Sequence, residues 1–265
     1  MLTIPKLRLK KQQKQKITML TCYDATFAAL IDEAGIDTVL VGDSLGMIIE
    51  GHDSTIPVTL ETMCYHTTIV KRKITNALII TDLPFGSYEE SKEQAYCSAV
   101  QLMKAGANLV KLEGGEAYAP TVTFLQKHGI PVCGHIGLTP QSVNVLGGYQ
   151  VQGKNEEDAQ RLLQDAIALD EAGASLIVIE CVPRDLGRKI SEAINTPTIG
   201  IGAGPDTDGQ VLVIYDLLGL YEKGKKPAKF VRNFLTGKQS IQEAILTYKR
   251  AVEEGSFPDD CHSFH

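Results

Sequence analysis

No apolar run in this 265-residue chain approaches the roughly 20 residues needed to cross a bilayer. A surplus of positive charge is missing as well. The net charge is −6, which argues against a general nucleic-acid or anionic-membrane binder. CxxC spacing is absent. The six cysteines (Cys22, Cys64, Cys97, Cys133, Cys181 and Cys261) are scattered, several inside apolar runs. Such usage argues against structural zinc and suits reduced, buried thiols of a cytoplasmic protein. The N-terminal stretch MLTIPKLRLKKQQKQK lacks the apolar core and small-residue cleavage site of a signal peptide, and reads as a short basic arm. No GxGxxG follows the first strand pattern, which weakens a dinucleotide-binding reading.

What is present is a repeating unit. With 43% apolar residues the chain can bury one large domain, 1–265 as a whole, or two small ones. Eight runs rich in Val, Ile and Thr begin near Ile17, Thr38, Ala77, Leu109, Pro131, Leu176, Pro197 and Val211. They are continuous, not alternating, as strands covered on both faces are. Helical stripes lie between them, such as Leu60, Met63, Cys64 and Thr67, or Ala159, Leu162, Leu163, Ala166 and Ile167 after Asn155. Ser87-Tyr88-Glu89-Glu90 reads as a capping box ahead of Ala95, Ala99, Leu102 and Met103. Three junctions echo one another: EAGIDTVLV, KAGANLVKL and EAGASLIVI, each with Gly at the helix end. Eight strands alternating with helices over this length predict a (β/α)8 barrel, with a doubly wound open sheet as the alternative. The segment from about Ala228 to Glu254 reads as a helical extension before the tail SFPDDCHSFH, which would cover a neighbouring subunit or lie on the barrel itself.

Four strand patterns end in an acid: Asp43 after TVLVG, Asp82 after ALIIT, Glu113 after LVKL and Glu180 after LIVI. A carboxylate there gains nothing from packing, and its burial costs several kcal/mol unless a cation or donors compensate. In a barrel all four fall at the C-terminal mouth, where active sites form. Asp43, Asp82 and Glu113 offer the oxygen ligands that a hard cation such as Mg²⁺ prefers. Lys111, two residues before Glu113, faces the same way and needs an anion, either a substrate carboxylate or a neighbouring acid. Ser44 begins the loop after Asp43, where its hydroxyl or amide can bind an anion.

His135 points to the same mouth, as a substrate contact or a hydrogen-bonding residue; His66, His128 and His262 read as surface or packing residues. Glu180 stands apart and is left free to move protons, and burial beside Val178, Ile179 and Cys181 would suit it to act as a base. Metal plus base suggests enolate formation and carbon–carbon chemistry. Gly200 to Gly204, GIGAG, is a further candidate for phosphate binding or simply a tight turn. The long stretch GLTPQSVNVLGGYQVQGK after strand five reads as a cover for the mouth.

Taken together, these residues resemble the ketopantoate hydroxymethyltransferase family. The matching stretches are TCYDATFA, VGDSLGM, GHDSTIPVTLE, DLPFGSY, VKLEGG, GHIGLTPQ, GGYQVQGK, IVIECVP, TIGIGAGPDTDGQVLV and FPDDCHSF, from about Thr21 to Phe264. The resemblance implies a (β/α)8 TIM barrel of the phosphoenolpyruvate/pyruvate type that uses Mg²⁺. It also implies transfer of a hydroxymethyl group from 5,10-methylenetetrahydrofolate to 3-methyl-2-oxobutanoate, giving 2-dehydropantoate for pantothenate and coenzyme A synthesis. Carried onto this chain, Asp43, Asp82 and Glu113 would surround the metal. Asp43, Ser44, Asp82 and Lys111 would contact the 2-oxo acid, His135 and Tyr23 would line the pocket, and Glu180 would accept the proton. A cytoplasmic homo-oligomer, usually a decamer, is implied too.

Two competitors are a lyase of the same superfamily and a non-catalytic barrel. The lyases carry a Lys-Lys-Cys-Gly-His lid motif that VCGHIG only weakly resembles, and a scaffold would have lost some of the four acids, all of which are present.

Overall fold

The eight apolar runs become eight parallel strands: β1 Ile17–Thr21, β2 Thr38–Val41, β3 Leu78–Asp82, β4 Leu109–Glu113, β5 Val132–Gly137, β6 Leu176–Glu180, β7 Thr198–Ile201 and β8 Gly209–Leu212. Each pairs with the next, and β8 returns to β1 with Ile17 opposite Gly209 and Met19 opposite Val211, so the sheet closes into a barrel. This pairing excludes the open doubly wound sheet. The structure is a computed structural model that describes residues 2–221, 224 and 226–265.

Helices surround the strands and shield their outer faces, and alternate strand residues fill the lumen. The inner cluster runs through Met19, Leu40, Ile80, Leu109, Cys133, Leu176, Val178, Ile199 and Val211. The three echoed junctions are one repeated turn. Gly35, Gly106 and Gly173 all have positive φ, which ends each helix and aims the chain into β2, β4 and β6. Helix N-termini are capped by side chains, including Thr59, Ser91, Asn155 and Ser240.

Four local expectations need correction. The helix after β3 begins at Lys92, with Ser91 as its cap, because Glu89 folds back to accept the Gly86 and Tyr88 N–H groups. Strand eight starts two residues earlier than expected and stops at Leu212; Ile214–Leu217 is a helical turn whose first N–H donates to Thr21 Oγ1. Of the C-terminal extension, Ile241–Glu253 is helical, while Asn233 takes the Leu235 and Thr236 N–H groups in a turn before it.

The fourth concerns the short basic arm, read without secondary structure of its own. Ile4–Gln12 is a helix that closes the bottom of the barrel, with Leu7 fully buried in the inner cluster. Its lysines are consumed locally: Lys10 pairs with Asp37 at 2.6 Å and Lys11 with Asp208 at 2.9 Å. Lys16, just beyond, donates to the Pro205 and Thr207 carbonyls.

The C-terminal tail lies on its own barrel. Arg184 pairs with Asp206 and Asp260, and its N–H donates to the Phe264 carbonyl. Phe230 and Phe264 occupy the space beside Gly202, so the glycine run after β7 packs aromatic rings and is no open phosphate cradle. Among the described residues no helix is long and apolar enough to cross a membrane.

Candidate active site

At the C-terminal mouth the alternation that fills the lumen continues, but with ionisable groups. Lys111 and Glu113 follow Leu109 on β4, His135 follows Cys133 on β5, Asp82 follows Ile80 on β3, and Glu180 follows Val178 on β6. Asp82, Glu113 and Glu180 are the last or near-rim residues of their strands. Asp43 departs from that pattern: β2 ends at Val41, and Asp43 lies in the turn that leads into the short helix Leu45–Ile48. There its N–H donates to Asp82 Oδ2 at 3.0 Å. A side chain on Gly42 would crowd Ser44 Oγ, so glycine lets this turn fold tightly beside Asp82.

The structure brings Asp43, Ser44, Asp82, Lys111, Glu113, His135 and Glu180 together around one cavity of about 180 Å³. Tyr23 is placed differently. It is fully buried behind the wall, where its hydroxyl meets Ser44 Oγ at 2.8 Å, so it orients Ser44 and does not line the cavity. His66 Nδ1 donates to the Tyr23 carbonyl at 2.6 Å from outside the barrel, as a packing residue.

Lys111 is the hub of the floor. Its Nζ stands 3.1 Å from Asp82 Oδ1 and 3.6 Å from Glu113 Oε1. Burial works against its charge, but Asp82, Glu113 and Asp43 outweigh it and hold the ammonium above its ordinary range. His135 Nδ1 donates to Glu113 Oε1 at 3.1 Å, and its Nε2 lies 3.2 Å from Glu180 Oε2, off the line of a hydrogen bond. Burial and the Lys111 charge disfavour its protonation, yet Glu113 and Glu180 prevail and keep it protonated up to about 9. Burial pushes the Glu113 carboxyl up, but His135, Lys111 and the Gln141 N–H draw it below the usual range.

Asp43 and Asp82 move the other way. Burial, then the charges of Asp82 and Glu113, raise Asp43 well above an ordinary aspartate. Burial also raises Asp82, against the pull of Lys111 and the Asp43 N–H. Four carboxylates here face only two cationic side chains, so the site carries uncompensated negative charge. Asp82 Oδ1, buried and beside Lys111, receives no hydrogen bond. Glu113 has both oxygens engaged, by His135 and by Gln141, and among the described residues no three His, Cys, Asp or Glu side chains form a ready cage for an ion.

Several wall residues escaped the sequence reading. Gln141, from the long loop after β5, is buried and bridges the floor. Its N–H donates to Glu113, its Nε2 to Asp43 Oδ2 and the Leu83 carbonyl, and its Oε1 accepts from Tyr88. Pro140 and Tyr149 of the same loop stand at the mouth, so the loop is a cover whose root is built into the floor. Asp216, Met47 and Phe230 also line the cavity. Asp216 carried a usable signal, since VLVIYD has the same acid-after-strand form as TVLVGD.

A family model described as ketopantoate hydroxymethyltransferase matches residues 1–260. The chain belongs to the ketopantoate hydroxymethyltransferase family. It is 55% identical over 264 residues to the 3-methyl-2-oxobutanoate hydroxymethyltransferase of Neisseria gonorrhoeae, covering 100% of this chain and 99% of that one. The enzyme of the same description from Nitrosospira multiformis is 56% identical over 250 residues, 94% of each chain.

Among solved structures, a phosphonopyruvate hydrolase in complex with oxalate and Mg²⁺ superposes with a TM-score of 0.60 at 14% identity, covering 80% of this chain and 81% of that one. A 2,3-dimethylmalate lyase of the PEP mutase/isocitrate lyase superfamily gives 0.57 at 18% identity, covering 83% of both. These two distant likenesses show the fold alone, a closed (β/α)8 barrel. The family membership rests on the full-length relatives, and ketopantoate hydroxymethyltransferases are enzymes.

Proposed function

We propose that the chain transfers a hydroxymethyl group from 5,10-methylenetetrahydrofolate to 3-methyl-2-oxobutanoate, forming 2-dehydropantoate and tetrahydrofolate. One observation carries the reading at this site. A buried, protonated Lys111 sits on the floor of an acid-rich cavity, and a separate carboxylate, Glu180, stands nearer the rim. The lysine supplies what a small 2-oxo acid needs, a cation for its carboxylate. Ser44, oriented by Tyr23, adds a hydroxyl.

The donor set fits Mg²⁺. It is all oxygen, it is over-charged for two cationic side chains, and Asp82 Oδ1 meets no donor but the Lys111 ammonium among the described residues. Asp43 and Asp82 would hold the ion, with Glu113, already hydrogen-bonded at both oxygens, standing behind them. When bound, Mg²⁺ supplies Lewis-acid polarisation of the keto group.

Glu180 is the proton acceptor in this reading. Its side chain is 17% exposed where Lys111 is 4%, and both line the same cavity, so Glu180 is open to a 2-oxo acid held by Lys111. The C3 proton passes to Glu180, and the electron pair left behind forms the new carbon–carbon bond to the methylene carbon of an iminium form of the folate. Water then supplies the hydroxyl oxygen as the carbon–nitrogen bond breaks and tetrahydrofolate leaves. Beside Glu180, the protonated His135 keeps one acid–base neighbour charged and fixed by Glu113.

The deciding experiment combines the chain with Mg²⁺, 3-methyl-2-oxobutanoate and methylenetetrahydrofolate and looks for 2-dehydropantoate by NMR. Product that requires all three supports the reading; no product, or product independent of the folate, overturns it. A cytoplasmic setting in pantothenate synthesis accords with six unpaired cysteines. A homo-oligomer, a decamer by family resemblance, belongs to the same reading and is checked by light scattering.

A further inference from the structure

The charged groups of the cavity are unevenly placed around the barrel. Asp43, Asp82, Lys111, Glu113, His135 and Glu180 come from β2 to β6 and the turns after them. The sector made by β7, β8 and β1 presents Thr21, Ile201, Val211, Val213 and Phe230 to the cavity, with one charged group among them, Asp216. Because β8 is four strands from β4 in a ring of eight, this wall stands across the mouth from Lys111 and Glu113.

Asp216 is short of partners. It lies in the four-residue turn Ile214–Leu217, where a first-turn acid would ordinarily accept a backbone N–H. Among the described residues its carboxylate accepts no hydrogen bond and joins no ion pair; only its backbone carbonyl is used, by Gly219 and Tyr221. Half-burial with nothing to offset it pushes the carboxyl up to about 6. A carboxylate kept on an apolar wall at that cost calls for a ligand that brings donors.

The 2-oxo acid is not that ligand, since its own carboxylate would be repelled. The complement of this wall is a flat ring with two parallel N–H donors on one edge, matched to the two carboxylate oxygens as a guanidinium is. We propose that Asp216 recognises the folate co-substrate through the N3–H and 2-amino group of its 2-amino-4-oxo ring, with that ring lying along Phe230. The inference rests on the folate reading above and names the wall on which the second substrate docks. It leaves the β2–β4 side to the 2-oxo acid and brings the methylene carbon in from the opposite side of the mouth.

The test uses the purified full chain with Mg²⁺ and measures kcat and KM for both substrates in wild type and Asp216→Asn. The variant, which replaces one acceptor oxygen by a donor, should raise the methylenetetrahydrofolate KM about tenfold or more while moving the 2-oxo acid KM less than about twofold. An analogue with methyl in place of the 2-amino group adds a readout that a merely structural role would not move. Wild type should use it about tenfold or more less well than the parent folate, and the Asn variant should discriminate far less.

Wild-type chain that accepts the methyl analogue as readily as the parent overturns the proposal, even if the variant fails to fold. So does a variant with an unchanged folate KM. If wild type makes no 2-dehydropantoate at all, the folate reading itself has failed and Asp216 falls with it. If wild type does turn over and only the discrimination is missing, Asp216 alone falls.

Discussion

Gln141 Nε2 donates to Asp43 Oδ2 at 2.7 Å, joining the loop after β5 to the turn after β2 across 98 residues of chain. The same side chain also holds the Leu83 carbonyl and the Tyr88 hydroxyl, and its backbone N–H holds Glu113. One residue therefore fixes the relative positions of two of the four acids, Asp43 through its side chain and Glu113 through its backbone. It also fastens the root of the covering loop to the floor.

Gln141→Ala removes three side-chain hydrogen bonds in a buried place and leaves Asp43 Oδ2 without its donor. Leaving buried polar groups unmet costs about 1–3 kcal/mol. The urea midpoint should fall accordingly, and the 2-oxo acid KM should rise because Asp43 loses its fixed position. A variant with wild-type midpoint and KM would show that the bridge fixes nothing.

Lys111→Ala should weaken 2-oxo acid binding more than folate binding. A charge-assisted contact is worth roughly 1.5–3 kcal/mol, so the 2-oxo acid KM should rise about tenfold or more. Removing the ammonium also leaves Asp82 and Glu113 short of a cation, at a cost of about 3–5 kcal/mol for a broken buried pair. Mg²⁺ should therefore raise the Tm of this variant more than that of wild type. If only the folate KM moves, Lys111 does not hold the 2-oxo acid.

Much of this site was legible because it is written as interruptions. An acid closing an apolar strand run is visible without any knowledge of tertiary structure, and Asp82, Glu113 and Glu180 all occupy the positions expected of them. Lys111 was legible by parity, two residues before Glu113. Gln141 was not, since a glutamine in a loop carries no pattern and its partners are remote in sequence. The bottom-closing helix was hidden by its own lysines. They look like a solvated arm, but several end on acids and carbonyls of the barrel. Tyr23, which the family resemblance implies at the pocket wall, lies one layer behind it, because a resemblance says which residues gather and nothing of their depth.

Asp216 makes stability depend on pH in a specific window. Its carboxyl titrates near 6 in the folded chain and near about 4 when unfolded. Between those values the folded chain keeps a proton that the unfolded chain has lost, so this group's favourable contribution is full below pH 4 and is lost as pH rises to 6. Asp216→Asn removes that loss. Its Tm relative to wild type should climb between about pH 4 and 6 and then level off, as scanning calorimetry at several pH values would record. A constant difference across the window would contradict the burial of an unpartnered acid.

Glu180 separates two roles that the geometry brings close together. It stands beside His135 but outside the cluster formed by Asp43, Asp82 and Glu113, so as a base it should be removable without loss of metal binding. Glu180→Gln keeps the size and most hydrogen bonding of the side chain and takes away the proton acceptor. Mg²⁺ and 2-oxo acid affinities should survive while turnover falls by roughly 10²–10⁴-fold. Exchange of the C3 proton of 3-methyl-2-oxobutanoate with deuterated solvent, followed by NMR in the absence of folate, isolates the step. Wild type should exchange if proton removal precedes folate binding, and the Gln variant should not. Exchange in the variant as fast as in a competent wild type would remove Glu180 as the base. Loss of Mg²⁺ affinity instead would make it a ligand, and the division of labour between the floor and the rim of this cavity would have to be redrawn.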